Sequence, residues 1–116
     1  MNGMEIHQWD IVRVRIQPDD RDEHPAVVIT CDEFCADLNK PMINVLYGTT
    51  RRPGKEPRVH EILLNGADGV DHSTLFSCGH LYTIDRRKIS AITGRVTPER
   101  CRQIGRKIVA TYRLPL

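Results

Sequence analysis

Two polar segments of the sequence contain side chains that could move a proton or hold a phosphate group. In the first, His24 stands beside Pro25, and in the second, Thr49 precedes the two arginines Arg51 and Arg52. Cleavage of RNA without a metal needs a base for the 2′-hydroxyl, an acid for the leaving oxygen and cations around the phosphate. Imidazole, hydroxyl and guanidinium groups are compatible with that chemistry, although a polar hairpin turn explains the second segment better when it is taken by itself.

The cysteines do not favour a metal site. Cys31 and Cys35 have the spacing of a ligand pair, but the sequence has no second pair, because Cys78 and Cys101 stand alone. We therefore expect no structural metal and no cofactor, and we interpret Cys31, Cys35 and Cys101 as small buried hydrophobic residues. The acids of residues 19–23 could bind a cation, but such a run is more often a hydrated loop. The sequence has no nucleophile-elbow, paired-cysteine redox or nucleotide-binding glycine motif.

Length and composition are typical of one soluble globular domain, which we expect to span residues 1–116. Of the 116 residues, 40% are hydrophobic and 28% are charged. These fractions are close to the globular average and exclude a disordered or collagen-like chain. No stretch approaches the roughly 18 apolar residues of a membrane span, and the first residues do not resemble a signal peptide. A cytoplasmic protein without membrane contact is the simplest expectation.

Charge is distributed unevenly along the chain. Residues 1–85 carry 8 basic and 14 acidic side chains, a net charge of −6, whereas residues 86–116 carry 9 basic and 1 acidic side chain, a net charge of +8. A basic block of this kind indicates an anionic partner such as nucleic acid. On pattern alone, a solvated helix face rich in arginine explains it about as well.

Short strands dominate the chain up to about residue 96. Residues 10–16 alternate apolar side chains with Arg13 and Arg15, which is the period-two pattern of a half-buried strand. A loop over residues 17–25 then leads to a buried strand at 26–30. Further extended segments are predicted at 42–47, 59–64, 73–78 and 80–85, with a minor helix at 32–39 and polar turns at 48–50, 51–57 and 65–69.

One long helix is predicted from Pro98 to about Arg113. Thr97 can cap its start, proline suits the first helical position, and Glu99 complements the helix dipole. Apolar side chains then recur at helical spacing. Many short strands followed by one terminal helix predict a mainly β fold, a small antiparallel barrel with a C-terminal α-helix.

The sequence resembles the MazF/PemK family of toxins from bacterial toxin–antitoxin pairs. The likeness covers nearly the whole chain, in order and with family-like spacing, and its most specific part is Thr-Ile-Asp followed by a basic stretch and a Gly-Arg-x-Thr-Pro-Glu helix start. The segments that carry it are Trp9-Asp10-Ile11-Val12, Glu23-His24-Pro25-Ala26-Val27-Val28-Ile29, Leu46-Tyr47-Gly48-Thr49-Thr50, and Gly69-Val70-Asp71-His72-Ser73 through Thr83-Ile84-Asp85 to Gly94-Arg95-Val96-Thr97-Pro98-Glu99-Arg100.

The resemblance implies an SH3-like barrel of the CcdB/MazF/PemK type, a homodimer, and a metal-independent endoribonuclease that cuts single-stranded mRNA. In such a reaction the 2′-hydroxyl attacks the adjacent phosphate and leaves a cyclic phosphate and a 5′-hydroxyl. The resemblance also implies that substrate lies across the dimer face, that the loop between the first two strands acts as a gate, and that an acidic segment of a cognate antitoxin blocks the groove.

Residue by residue, the resemblance places the family's hydroxyl residue on Thr49 and its catalytic arginine on His24. Histidine can move protons near neutrality, so His24 could act as acid or base while Arg21 supplies positive charge. The opposite inference is equally physical, because a neutral histidine lacks the fixed charge of arginine. Tyr82 stands where many relatives carry a basic residue, and it could stack a base or simply pack on a strand. Catalysis is expected from His24 and Thr49, and RNA binding from Arg21, Thr50, Arg51, Arg52 and Tyr82.

The replaced arginine keeps two further hypotheses open. One is a non-nucleolytic growth inhibitor on the same fold, like the gyrase-poisoning CcdB toxins, in which Leu114 and Leu116 at the C-terminus would matter more than His24. The other is a family member that binds RNA or antitoxin and cuts nothing.

Overall fold

The computed structural model describes residues 4–15, 21–50, 56–68, 70 and 72–115. In this part of the chain, six strands form one antiparallel sheet with the order β4-β5-β3-β2-β1-β6. The elements are β1 (Asp10–Val14), β2 (His24–Val28), α1 (Asp32–Ala36), β3 (Met42–Thr50), β4 (Glu61–Leu64), β5 (Thr74–Asp85), β6 (Ile89–Arg95) and α2 (Pro98–Tyr112), with short 3₁₀ helices at Gly66–Asp68 and Arg86–Lys88. The predicted mainly β, barrel-like fold with a C-terminal helix is confirmed. The sheet is not closed, because the described edge strands β4 and β6 do not pair with each other.

The loop predicted over residues 17–25 is wrong at its end. His24 and Pro25 already belong to β2, where they pair with Val14 and Arg13 of β1. Polar composition suggested a loop, but the ladder to β1 holds these two residues extended. His24 therefore sits on a strand, and its direction is set by the sheet.

The turn predicted at residues 48–50 is also wrong. Gly48 and Thr49 continue β3 and pair with Phe76 and Leu75 of β5. Residues 73–78 and 80–85, predicted as two segments, form the single long strand β5, whose pairing with β3 shifts register between Leu46 and Gly48. Long-range pairing overrides the local turn composition here.

Buried side chains form two clusters. Alternation along the strands sends one set to each side of the sheet. The first cluster packs with the N-terminal segment and α1 and contains Ile6, Val12, Val14, Ala26, Val28, Cys35, Ile43, Val45, Ile84 and Ile89. The second packs beneath α2 and contains Ile11, Val27, Leu46, Ile62, Leu64, Val70, Phe76, Cys78, Val96 and Ile104.

The Thr-Ile-Asp-Arg segment that ends β5 has a structural role. Ile84 is buried in the first cluster, and the Asp85 carboxylate accepts the backbone N–H of Arg87 at 2.9 Å. The Arg86 guanidinium donates to the carbonyl oxygens of Cys35 at 2.8 Å and Lys40 at 2.9 Å. These contacts join the end of the sheet to α1 and to the segment that follows it.

The predicted C-terminal helix is confirmed. Pro98 occupies its first turn, and the Thr97 hydroxyl accepts the backbone N–H of Arg100 at 3.3 Å, as expected of an N-cap. The helix ends at Tyr112, and the C-cap residue Arg113 adopts a left-handed conformation. In the described part of the chain, neither helix has the length and apolar character needed to cross a membrane.

Gly48 marks a close approach between β3 and the core. A Cβ at this position would lie 2.6 Å from Thr74 Cγ2 and 2.8 Å from Phe76 Cε1. Phe76 is fully buried in the second cluster, so its ring has no free space to move into. Position 48 therefore requires glycine.

We predict that Gly48→Ala destabilises the fold by about 1–3 kcal/mol, because the added methyl group overpacks the core. The matched control is Gly105→Ala, since a Cβ there would meet nothing within 4 Å. In the interior of α2, alanine should stabilise by about 0.5–1 kcal/mol. Urea unfolding measures both changes, and equal free energies of unfolding for the wild type and Gly48→Ala would contradict the packing.

Candidate active site

Three rings lie side by side across the middle of the sheet. The His24 ring is 4.8 Å from the Tyr47 ring, and the Tyr47 ring is 5.4 Å from the Tyr82 ring, measured between centroids. They stand on β2, β3 and β5 respectively. We call these three side chains the aromatic row. Because Tyr82 is 37% exposed, the row presents ring surface to solvent at one end.

The register of β2 against β3 relates Thr49 to this row. Ala26 pairs with Tyr47 and Val27 with Leu46. The pairs end at Tyr47, and two residues further along each strand we expect the same register to bring Thr49 opposite His24. Alternation along β3 puts Thr49 on the same side of the sheet as Tyr47, and the Thr49 side chain is exposed. The imidazole and hydroxyl predicted for catalysis thus stand on neighbouring strands and face one side.

A cleft of about 320 Å³ opens where β2 begins. Its charged groups are mixed, because the Arg13 guanidinium lies 3.9 Å from the Glu23 carboxylate and Asp22 adds a second acid. Thr74, at its edge, donates its hydroxyl hydrogen to the His72 carbonyl at 2.8 Å. The lining residues are Arg13, Asp22, Glu23, His24, Pro25, Gly48, Val70, His72, Thr74 and Thr93.

Only one of the three predicted cationic residues lies in the part of the chain that the structure describes. Arg21 is exposed outside the cleft lining, and its carbonyl oxygen accepts a hydrogen bond from the Arg15 guanidinium at 3.1 Å. Arg51 and Arg52 lie outside the described residues, as does the side chain of Thr50. Leu114, named for the alternative function, is 52% exposed, and Leu116 also lies outside the described residues.

Sequence reasoning missed Tyr47, the middle ring of the aromatic row. The signal was present, because Tyr47 precedes Thr49 by two residues and a strand sends both side chains to one side. The turn predicted at residues 48–50 hides this spacing, because a turn does not send alternate side chains to one side. Arg13 and His72 were also missed, since they approach the cleft from distant segments and share no local pattern.

The four cysteines are free thiols, and their burial differs. Burial raises the pKa of Cys78 to about 11, against an opposing effect of the nearby Lys107 charge. Burial likewise raises the pKa of Cys35 and of Cys101. The prediction of burial is confirmed for Cys35. Cys101 is half-buried, and Cys31, the residue just before α1, is exposed. Among the described residues, no three His, Cys, Asp or Glu side chains are grouped to hold a metal.

We predict that an alkylating reagent at pH 8 modifies the exposed Cys31 much faster than the buried Cys78. Raising the thiol pKa from 9.0 to about 11 lowers the thiolate fraction by about 100-fold, and only the thiolate reacts. Peptide mass mapping over time measures the two rates. In urea the difference should disappear, and equal rates in the native protein would contradict the buried position of Cys78.

A family model decides the relationship of this chain to known proteins. The model described as "PemK-like, MazF-like toxin of type II toxin-antitoxin system" matches residues 7–111. The chain belongs to this family of toxins. The resemblance read from the sequence is thereby confirmed. Among curated protein sequences, none matches this member of the family significantly.

Solved structures of MazF toxins share the fold. An endoribonuclease from a mycobacterial species, in complex with its cognate antitoxin, has 13% identity and a TM-score of 0.77, over 96% of this chain and 98% of that one. The Mycobacterium tuberculosis toxin MazF-mt6 has 16% identity and a TM-score of 0.76, over 92% and 99%. MazE-MazF from Deinococcus radiodurans has 14% identity and a TM-score of 0.76, over 97% and 100%. At these identities the likeness establishes a common fold.

Proposed function

We propose that this toxin is a metal-independent, sequence-selective endoribonuclease that cuts single-stranded mRNA and so inhibits growth. The observation that carries the proposal is the pairing of Ala26 with Tyr47, because alternation from this pair assigns His24 and Thr49 to one side of the sheet. Family membership supports it, as does the fold shared with solved endoribonucleases from mycobacterial species. In this proposal His24 takes the proton-transfer role that the resemblance assigns to the family's arginine.

In the proposed reaction, the ribose 2′-oxygen loses its proton and attacks the adjacent phosphorus. A bond forms from the 2′-oxygen to phosphorus, and the bond from phosphorus to the 5′-oxygen breaks. The products are a cyclic phosphate and a 5′-hydroxyl, which receives one proton. His24 takes the proton from the 2′-hydroxyl or gives it to the leaving oxygen, while the Thr49 hydroxyl donates a hydrogen bond to a phosphate oxygen.

Substrate binding is proposed for the groups around this pair. The exposed Tyr82 ring offers a surface on which an unpaired base can stack, and such stacking contributes about 1–3 kcal/mol per base without sequence preference. Arg21, Arg51 and Arg52 are proposed to hold the phosphate backbone. Thr50 is proposed to add a hydroxyl contact to the RNA.

The proposed partners follow from the family. A cognate antitoxin with an acidic segment is expected to cover the same site, and two of the similar solved structures are toxins in complex with an antitoxin. The proposed toxin acts as a homodimer in the cytoplasm, where its mRNA substrate is found. Electrostatic attraction to the basic C-terminal part of the chain would speed the approach of either anionic ligand.

We predict that the purified protein cuts single-stranded RNA in EDTA and that His24→Ala lowers kcat/KM by about 10²–10⁴-fold. Thr49→Ala should lower it by about 10²–10³-fold, because one donor to the phosphate charge is lost. End mapping of the fragments should show a cyclic phosphate and a 5′-hydroxyl at each cut.

The matched controls keep or remove the same groups. Thr49→Ser keeps the hydroxyl and should stay within about tenfold of the wild type, whereas His80→Ala removes an exposed imidazole of β5 outside the row and should have no effect. His24→Arg, which restores the family residue, should also cut. Cleavage that stops in EDTA would contradict the proposal, as would growth arrest by His24→Ala at full strength, which would favour a toxin directed at a protein.

A further inference from the structure

The C-terminal helix has a charged face that the candidate active site does not use. From Pro98 to Arg113 the chain carries five basic residues and one acid. Two of these five basic side chains already have partners within the protein. Arg100 pairs with the buried Asp68 carboxylate at 3.3 Å, and Lys107 donates to the Val59 carbonyl at 3.1 Å.

The side chains of the remaining cations are unpaired. Arg102, Arg106 and Arg113 are exposed, and within the described part of the chain none of their guanidinium groups has a hydrogen bond or an ion pair. Arg102 and Arg106 are separated by four residues, so they stand on one face of α2, about 6 Å apart along its axis. Ala110 continues that face. We call Arg102, Arg106 and Ala110, together with Arg113 just beyond the end of the helix, the outer face of α2.

This face lies on the opposite side of the sheet from the aromatic row. α2 covers the second cluster through the fully buried Ile104. The aromatic row continues the side of the first cluster, since His24 alternates in step with Ala26 and Val28. A ligand on the outer face is therefore bound outside the candidate active site.

The chemistry of the outer face favours phosphate over protein. Guanidinium groups hold phosphate oxygens by charge-assisted hydrogen bonds, without apolar contacts. Protein interfaces instead centre on buried aromatic or aliphatic anchors, whereas this face presents mainly arginine side chains, together with Glu99 and the half-buried Val109. Arg106 also lines the groove beside β4. Apolar surface beside this helix occurs on its β4 flank, where Ile62 and Leu63 line a groove.

We propose that the outer face of α2 binds the phosphate backbone of single-stranded nucleic acid as a second site, separate from the candidate active site. It extends the proposed function, because a long RNA held there remains near the toxin while another part of the strand reaches the aromatic row. Binding at the outer face does not require cleavage, so the two proposals fail separately.

The test measures binding of an uncleavable RNA to the full chain. The probes are 2′-O-methyl oligonucleotides of about 30 and about 6 nucleotides, which lack the attacking hydroxyl, and fluorescence anisotropy is recorded over a salt series. For the variant with both Arg102→Gln and Arg106→Gln, the Kd for the long probe should rise about tenfold, and the slope of log K against log salt should fall in magnitude by about 1.4, or 0.7 per lost phosphate contact. The short probe should bind within about twofold of the wild type.

The control carries Lys40→Gln and Lys88→Gln, two exposed lysines away from α2, and so changes the net charge equally. It should bind both probes as the wild type does. An arginine variant that binds the long probe with unchanged Kd and slope would overturn the proposal, as would a wild type that does not bind the long probe.

A further arm uses a poly-glutamate peptide of about 12 residues. If the arginine variant loses this peptide and keeps the long probe, the outer face binds an acidic protein and the proposal is wrong. If the wild type binds the long probe through the outer face but cuts no RNA, the proposed function fails and this site stands.

Discussion

The pairing of β2 with β3 is the constraint on which the candidate site depends. Ala26 against Tyr47 fixes which side chains share a side of the sheet. A slip of one residue would send His24 and Thr49 to opposite sides, because side chains alternate along a strand. The register is held by the core, since Val27, Val28, Val45 and Leu46 are fully buried on the two sides of these strands. The chemistry thus rests on packing as much as on the reactive groups.

The two sides of the sheet have different uses. One side is covered by the N-terminal segment and α1, which the Arg86 guanidinium joins to the end of β5. The part of that side left uncovered carries the aromatic row. The other side is covered by α2, whose buried Ile104 faces the core and whose Arg102 and Arg106 side chains are exposed. Part of the basic C-terminal block of the sequence is therefore displayed on this helix.

Local signals predicted the elements that depend on local contacts. The cap at Thr97 and the proline after it located α2, and alternation located β1. Residues 24–25 and 48–50 are predicted as loop and turn because their polar composition resembles turns, whereas pairing with distant strands holds them extended. The same long-range pairing brings Tyr47 between His24 and Tyr82. The contacts between these rings join three strands, so no local pattern shows them. The resemblance therefore identifies His24 and Thr49 as candidates but does not identify Tyr47.

A crystal structure of the protein with an uncleavable 2′-O-methyl RNA tests the central claim most directly. The account predicts one phosphate within hydrogen-bond distance of both the His24 imidazole and the Thr49 hydroxyl, with a base against the Tyr82 ring. A phosphate bound instead in the cleft between Arg13 and His72, with the aromatic row empty, would contradict it.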